Sequence, residues 1–350
     1  MKICIIGDIH WCDCSSIVKG RGERYSLRLE NCIDSINWAE EIAKEEDCKV
    51  IVYLGDFFDR ANLNAEEISA LQQLDFNSNI ARYFLCGNHE LGRHDASFAS
   101  CDILSNWGKV VKEPCKQTYV NMTNISDLAD IDLIFLPYIF EEDRQPFISY
   151  IPNDNRKKIV FSHNDIKGIQ MGNYKSTIGF DINEIEFNCN LFINGHLHNG
   201  SQLVSNVFNI GNLTGQNFSE DAFKYQHGIF ILNTDELSID FYENPCAFNF
   251  YKIDLTQYCS EEHIFNILNN LKNNAIVTVK CNDEDVNYVR EAFAHVVTEL
   301  RVVSQNNNAV VENKIEEIQT VDYLSKFIDF IHDKIESSDI LNEEIGEICK

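Results

Sequence analysis

No stretch of this chain is apolar for long enough to cross a bilayer. The longest, from Ile131 to Phe140, is broken by Asp132 and Pro137, and a helical span needs about 20 apolar residues. Positive charge is scarce too: 29 lysines and arginines stand against 55 aspartates and glutamates, a formal net charge of -26. Proteins that bind nucleic acid unaided usually present a basic surface, so that mode of binding is disfavoured, although bound divalent cations would reverse the field locally. The first residues, Met1-Lys2-Ile3-Cys4, lack the basic and then apolar pattern of a signal peptide. The 13 cysteines are odd in number and without framework spacing, which suits reduced thiols and a cytoplasmic setting. Neither an internal repeat nor a low-complexity tract is visible. At 350 residues the chain can bury a large core and carry an accessory domain.

What the chain does have is a set of five short blocks in fixed order. They are Asp8-Ile9-His10, Gly55-Asp56-Phe57-Phe58-Asp59-Arg60, Gly87-Asn88-His89-Glu90, Ser162-His163 and Gly195-His196-Leu197-His198. Together they supply the carboxylate, amide and imidazole groups needed to hold two metal ions side by side. Mixed oxygen and nitrogen donors suit two divalent ions, Mn(II) first, with Mg and Fe as the other candidates. Asp8, His10 and His198 are assigned to one ion, Asn88, His163 and His196 to the other, and Asp56 bridges them. Such ions lie about 3.5–4 Å apart, activate a shared water and stabilise in-line displacement at phosphorus. His89, adjacent to a ligand, is better placed as the general acid for the leaving oxygen, with Asp59 hydrogen-bonding its ring. Arg60, Arg21 and Arg24 are candidates for phosphate contact; Lys19, Arg28 and the run Arg156-Lys157-Lys158 add further local positive charge. His94 lies in a loop near these blocks, with its role open.

The blocks fall on a repeating pattern. Lys2 to Ile6, Lys49 to Leu54 and Arg82 to Cys86 read as buried strands, each followed by ligands. Tyr25 to Asp47 and Ala65 to Phe76 read as helices, the first from apolar residues at Leu29, Ile33, Ile36, Ala39 and Ala43. Five later runs, Leu133–Leu136, Ile159–Phe161, Leu191–Ile193, Val207–Ile210 and Ile229–Leu232, read as strands of a second sheet. The expected class is α/β, a two-sheet sandwich flanked by helices with ligands at the carboxyl ends of strands. A small βαβαβ unit follows Pro245. The division is 1–243 for the core, 244–304 for a capping unit and 305–350 for a linker and helical tail. In the tail Tyr323, Leu324, Phe327, Ile328 and Ile331 share one helical stripe, which fits either a helix docked on its own core or one that binds a partner.

The blocks resemble the calcineurin-like metallophosphoesterase superfamily, over about Met1 to Leu232. Gly55-Asp56-x-x-Asp59-Arg60 is shared with serine/threonine protein phosphatases, but those lack the terminal Gly-His-x-His seen at Gly195 to His198. The chain is more similar to the nuclease subunits of double-strand-break repair complexes, the SbcD family and its bacteriophage counterparts. Gly20-Arg21-Gly22-Glu23-Arg24, Gly55 to Asn62 with Ala65-Glu66, Phe208 to Leu213 with Phe218-Ser219-Glu220, and Leu300-Arg301-Val302-Val303-Ser304 before an acidic tail carry that resemblance. It departs at Leu63 and Asn64, where family members often have proline.

The resemblance implies a Mn-dependent DNA nuclease subunit, acting on double-stranded ends and on single-stranded or hairpin DNA in recombination and repair. It implies a homodimer whose tail binds the coiled-coil base of an SbcC-type ATPase, with no membrane association, in the cytoplasm of a cell or of a phage's host. A phosphomonoesterase or small-molecule phosphodiesterase of the same superfamily is the alternative.

Overall fold

Strands with alternating residues buried on opposite faces need cover on both sides, and the chain supplies two layers of it. A computed structural model describes residues 1–15, 17–76, 79–119, 131–171 and 174–304. The first half runs β1 (Lys2–Ile6), α1 (Leu27–Glu45), β2 (Val50–Tyr53), α2 (Ala65–Ala70), β3 (Ala81–Leu85) and β4 (Lys109–Val111). It continues through β5 (Cys115–Tyr119), β6 (Ile131–Leu136), β7 (Lys157–Ser162), α3 (Ile182–Asn188), β8 (Leu191–Asn194), β9 (Ser201–Val204) and β10 (Val207–Asn209). β11 (Gly228–Asn233) and β12 (Ser238–Glu243) complete the core elements. One six-stranded sheet has the order β12-β11-β1-β2-β3-β4, the other β9-β10-β8-β7-β6-β5.

The two sheets meet over a shared core. Ile3, Ile5, Val50, Val52 and Leu85 from the first pack against Leu133, Phe135, Ile159, Phe161 and Ile193 from the second. Tyr83 stacks on Phe135 across that seam, ring centres 4.4 Å apart. The residues between these, Cys4, Ile6, Ile51, Tyr53 and Phe84, face the other way and pack under α1, while Ile134, Leu136, Val160 and Phe192 form the outer core of the second sheet. Each fully buried Leu, Ile or Phe contributes about 1.5–3 kcal/mol, so the continuous apolar runs are the signature of strands covered twice. α1 begins where Ser26 Oγ accepts the Leu29 N–H at 3.2 Å, a cap typically worth about 1 kcal/mol. Its apolar stripe, Leu29, Ile36, Ala39 and Ala43, is buried.

Two expectations shift. Ile229–Leu232 lies in β11, which pairs antiparallel with β1 in the first sheet and not in the second. A strand with two apolar faces carries no mark of which neighbour it will take, and its place between β12 and β1 is decided by long-range pairing. The second helix is shorter than its apolar pattern, α2 giving way to a 3-10 turn at Leu71–Gln73.

Beyond Pro245 come β13 (Asn249–Asp254), α4 (Glu261–Leu268), β14 (Ala275–Cys281), α5 (Val286–Phe293) and β15 (Glu299–Ser304), the three strands parallel in the order β13-β14-β15. This unit has its own core of Tyr251, Ile253, Ile264, Val277, Val279, Val289 and Phe293. Phe248, Phe250 and Ile276 tie it to Val18 in the loop after the first ligand block. The tail stripe of Tyr323, Leu324, Phe327, Ile328 and Ile331 lies outside the described residues. No helix among the described residues is long and apolar enough to cross a membrane.

Candidate metal centre

Five parallel strands deliver the ligand blocks, each just past its carboxyl end: β1 gives Asp8 and His10, β2 gives Asp56, β3 gives Asn88 and His89, β7 gives His163, and β8 gives His196 and His198. The two sheets thus bring their ligand loops to one edge, where neither sheet alone has a complete set. Close approach demands glycine. A Cβ on Gly55, which has φ +106°, would lie 2.5 Å from the His163 ring, and one on Gly87 would lie 2.2 Å from Asp56 Oδ1. Three of the ligands themselves, His10, Asp56 and His196, hold φ values of +50°, +45° and +71°. Left-handed backbone at non-glycine residues costs on the order of 1–3 kcal/mol each and gathers where function requires it.

The rings are aimed by the partner of their far nitrogen. His163 donates through Nδ1 to the Leu54 carbonyl at 2.8 Å, His196 through Nε2 to Asp165 at 3.2 Å, His198 through Nδ1 to Glu220 at 3.0 Å, and His10 through Nδ1 to Asp59 at 3.0 Å. The remaining nitrogens then point inward as lone pairs. His163 Nε2 and His196 Nδ1 lie 3.2 and 3.1 Å from Asn88 Oδ1, which is itself an acceptor. Three acceptors cannot satisfy one another; a positive species between them can. At the neighbouring group, Asp8 Oδ2 and His10 Nε2 are buried without a hydrogen-bond partner. Asp8, His10 and His198 form one group that could hold a cation, and Asp56, His163 and His196 another. Asp56 Oδ2 stands between them, 3.1 Å from His163 Nε2 and 3.8 Å from His10 Nε2.

Electrostatics agree with the donor geometry. Burial opposes charge on His163, but the Asp56 and Asp8 carboxylates outweigh it and pull the ring up to about 10. The same carboxylates that favour positive charge on this ring would favour a divalent ion beside it, and metal uptake at such a site releases protons. Asp56 is itself held well below the usual carboxylate range: burial works against its charge, and His163, His10 and His89 overcome it. Glu90, wholly buried, braces two ligand loops by accepting the Gly87 N–H at 2.5 Å and the Phe58 N–H at 3.2 Å.

Around this centre the other expected residues are arranged differently. The Asp59 carboxylate serves His10, not His89; it is 3.8 Å from His89 Nδ1, which instead donates to the Asp59 backbone carbonyl at 2.9 Å. Arg60 is turned from the centre to Glu67 at 2.6 Å and Asp13 at 3.0 Å. Glu67 is fully buried, so its charge needs the guanidinium more than solvent-exposed phosphate does. Arg21 donates from one nitrogen, Nη1, to both Glu66 oxygens at 2.7 and 2.9 Å, and Arg24 lies over the Tyr25 ring. Arg28 is buried, donating to the carbonyls of Ile9 and Gly215. These arginines brace the loops of the first two blocks. Sequence reasoning gave no role to Asp165, Glu220 and Glu90. Asp165 lies two places after His163, a weak hint; Glu220 lies 22 residues from its ring and nothing local marks it.

Asp165 makes a test of ring orientation. Asp165→Ala should weaken metal retention by roughly 10–100-fold, the usual cost of losing the group that orients a ligand histidine, measured by competition with a chelator. Unchanged retention would mean that Asn88 and the surrounding packing orient His196 alone.

The sequence matches the family model of calcineurin-like phosphoesterases over residues 1–200. Among solved structures it is similar to the calcineurin-like phosphoesterase YfkN from Bacillus subtilis, at 12% identity over 69% of this chain and 88% of that chain, with a TM-score of 0.37. No curated protein matches it.

Proposed function

Because this chain belongs to the calcineurin-like phosphoesterase family, by a match that takes in every ligand block, and is thus a metal-dependent phosphoesterase, we propose that it is a two-metal DNA nuclease subunit. The observation that carries the chemistry is the position of Asp56, within reach of both histidine groups. Two divalent cations, Mn(II) in this reading, supply Lewis acidity and lower the pKa of a water. The chain's own part is to hold them with Asp8, His10, Asp56, Asn88, His163, His196 and His198, and to keep the rings aimed through Asp59, Asp165 and Glu220. His89 stands at the open side, 40% exposed. With Nδ1 engaged on the Asp59 carbonyl, Nε2 is the atom left to pass a proton to a leaving oxygen.

DNA as the substrate is supported by the resemblance to SbcD-type subunits at the blocks around Gly55, Phe208 and Leu300 and by the βαβαβ unit at the place where that family carries its capping domain. The same reading makes the partner an SbcC-type ATPase that supplies basic surface, the assembly a homodimer, and the setting the cytoplasm. The test is cleavage of end-labelled double-stranded, single-stranded and hairpin DNA in Mn(II). In His89→Gln, turnover should fall on the order of a hundredfold with metal content unchanged; undiminished cleavage would remove His89 from the mechanism. One observation favours a small-molecule phosphodiesterase instead, the net charge of -26. That reading predicts hydrolysis of aryl phosphodiesters with DNA untouched even beside the ATPase.

A further inference from the structure

His94 takes no part in the metal centre, yet it forms one wall of a pocket beside it. The pocket encloses about 390 Å³ between the loop after His89 and the loop after β6, and Tyr138, Phe140, His94, Asp143 and Tyr150 line it. The His94 ring lies flat on Phe140, centres 3.9 Å and planes 22° apart. Tyr138 meets Phe140 edge-on at 5.3 Å, and its ring centre is also 5.9 Å from that of His196. One residue thus joins an aromatic pocket to a ring of the metal centre.

The loop that carries these aromatics is pinned to the ligand framework. Asn164, buried next to His163, donates to the carbonyls of Leu136 at 3.2 Å and Pro137 at 2.9 Å and accepts the Ile139 N–H at 3.0 Å. The Tyr138 N–H donates to the Cys86 carbonyl at 2.8 Å, and Arg144 donates to the Ile139 carbonyl at 2.7 Å. A surface ordered beforehand costs little further entropy when a ligand settles on it.

Charge decides what the pocket accepts. His94 Nε2 is 2.9 Å from Glu142 and 3.7 Å from Asp143. Asp95 and Glu113 stand on the same walls, and Lys112, the cation there, is paired with Asp102 at 2.9 Å. Such a rim repels a second phosphate. A flat, uncharged ring gains stacking against the aromatic faces, and any exocyclic amine on it meets carboxylate acceptors.

We infer that this pocket seats a nucleobase of the ester whose phosphate lies at the metal centre, with Phe140, Tyr138 and His94 as the stacking surface. The inference rests on the nuclease reading and adds to it where the base adjoining the scissile phosphate goes.

Calorimetric titration of the full-length, Mn(II)-loaded protein tests it. The two probes are deoxyadenosine 5′-monophosphate and 2-deoxyribose 5-phosphate, alike in phosphate and sugar and different in the base. The nucleotide should bind about tenfold more tightly or better, as base stacking on aromatics allows, and in Phe140→Ala the two should bind within about twofold of each other. Phe140→Leu keeps the loop's apolar bulk without the π face and should narrow the ratio in the same way, with metal content unchanged in both variants. Equal binding of the two probes by the wild-type protein would overturn the inference, as would a base advantage that survives both substitutions. DNA cleavage together with equal binding would sink the pocket and spare the nuclease; a base advantage without DNA cleavage, even beside the ATPase, would do the reverse.

Discussion

Asp56→Ala should lower phosphodiester turnover by roughly a thousandfold, equivalent to about 4 kcal/mol of barrier. One oxygen of Asp56 is 3.1 Å from His163 and 3.8 Å from His10, and the other accepts the His89 N–H at 3.0 Å. Its loss removes the negative charge shared by both donor groups and frees the loop that carries Asn88 and His89. Metal bound per chain should fall from two ions to one or none, read by elemental analysis after gel filtration. Asp56→Asn separates the two effects: it preserves shape and the acceptor for the His89 N–H but not the charge, and it should lose nearly as much turnover as alanine. Near-wild-type turnover in Asp56→Asn would show that Asp56 organises the loop without binding cations.

The second large effect concerns stability and lies away from the centre. Arg82 on β3 and Glu40 on α1 form a forked pair at 2.8 and 2.6 Å, with side chains only 3% and 4% exposed. Tyr53 on β2 donates its hydroxyl to the same carboxylate at 2.7 Å. Arg82→Met should cost roughly 3–5 kcal/mol, because it strands a buried carboxylate whose charge water cannot reach. Removing both charges, as in Arg82→Met with Glu40→Met, should restore most of that loss, since apolar side chains of similar volume replace a buried pair at little net cost. Urea unfolding of the metal-loaded protein would read both. A single-variant loss below about 1 kcal/mol would mean that water reaches Glu40 once the arginine is gone.

The core strands were legible because burial on both faces leaves an unbroken apolar run, as in Cys4-Ile5-Ile6 or Leu133 to Leu136. α1 was legible because its stripe repeats at helical spacing. The ligand blocks stood out for a related reason: glycine or a small residue must precede a side chain that crowds its neighbour, so Gly55, Gly87 and Gly195 announce Asp56, Asn88 and His196. The βαβαβ elements after Pro245 followed from the same alternation of run and stripe. Ile229–Leu232 misled because its pattern states that it is covered, not by which sheet.

The sequence by itself determined which donors this protein has, in what order, and that each follows a strand; those are properties of a residue and its immediate neighbours. Which donor faces which was decided only by the tertiary structure. Asp59 turns its carboxylate to His10 and its carbonyl to His89, Arg60 is taken up by Glu67, and Glu220 returns from the far side of the Gly-His-x-His loop to aim His198. Hydrogen-bond partners are chosen by proximity and by the cost of leaving a buried group unpaired. Both depend on how two sheets and their loops pack, which no local pattern records.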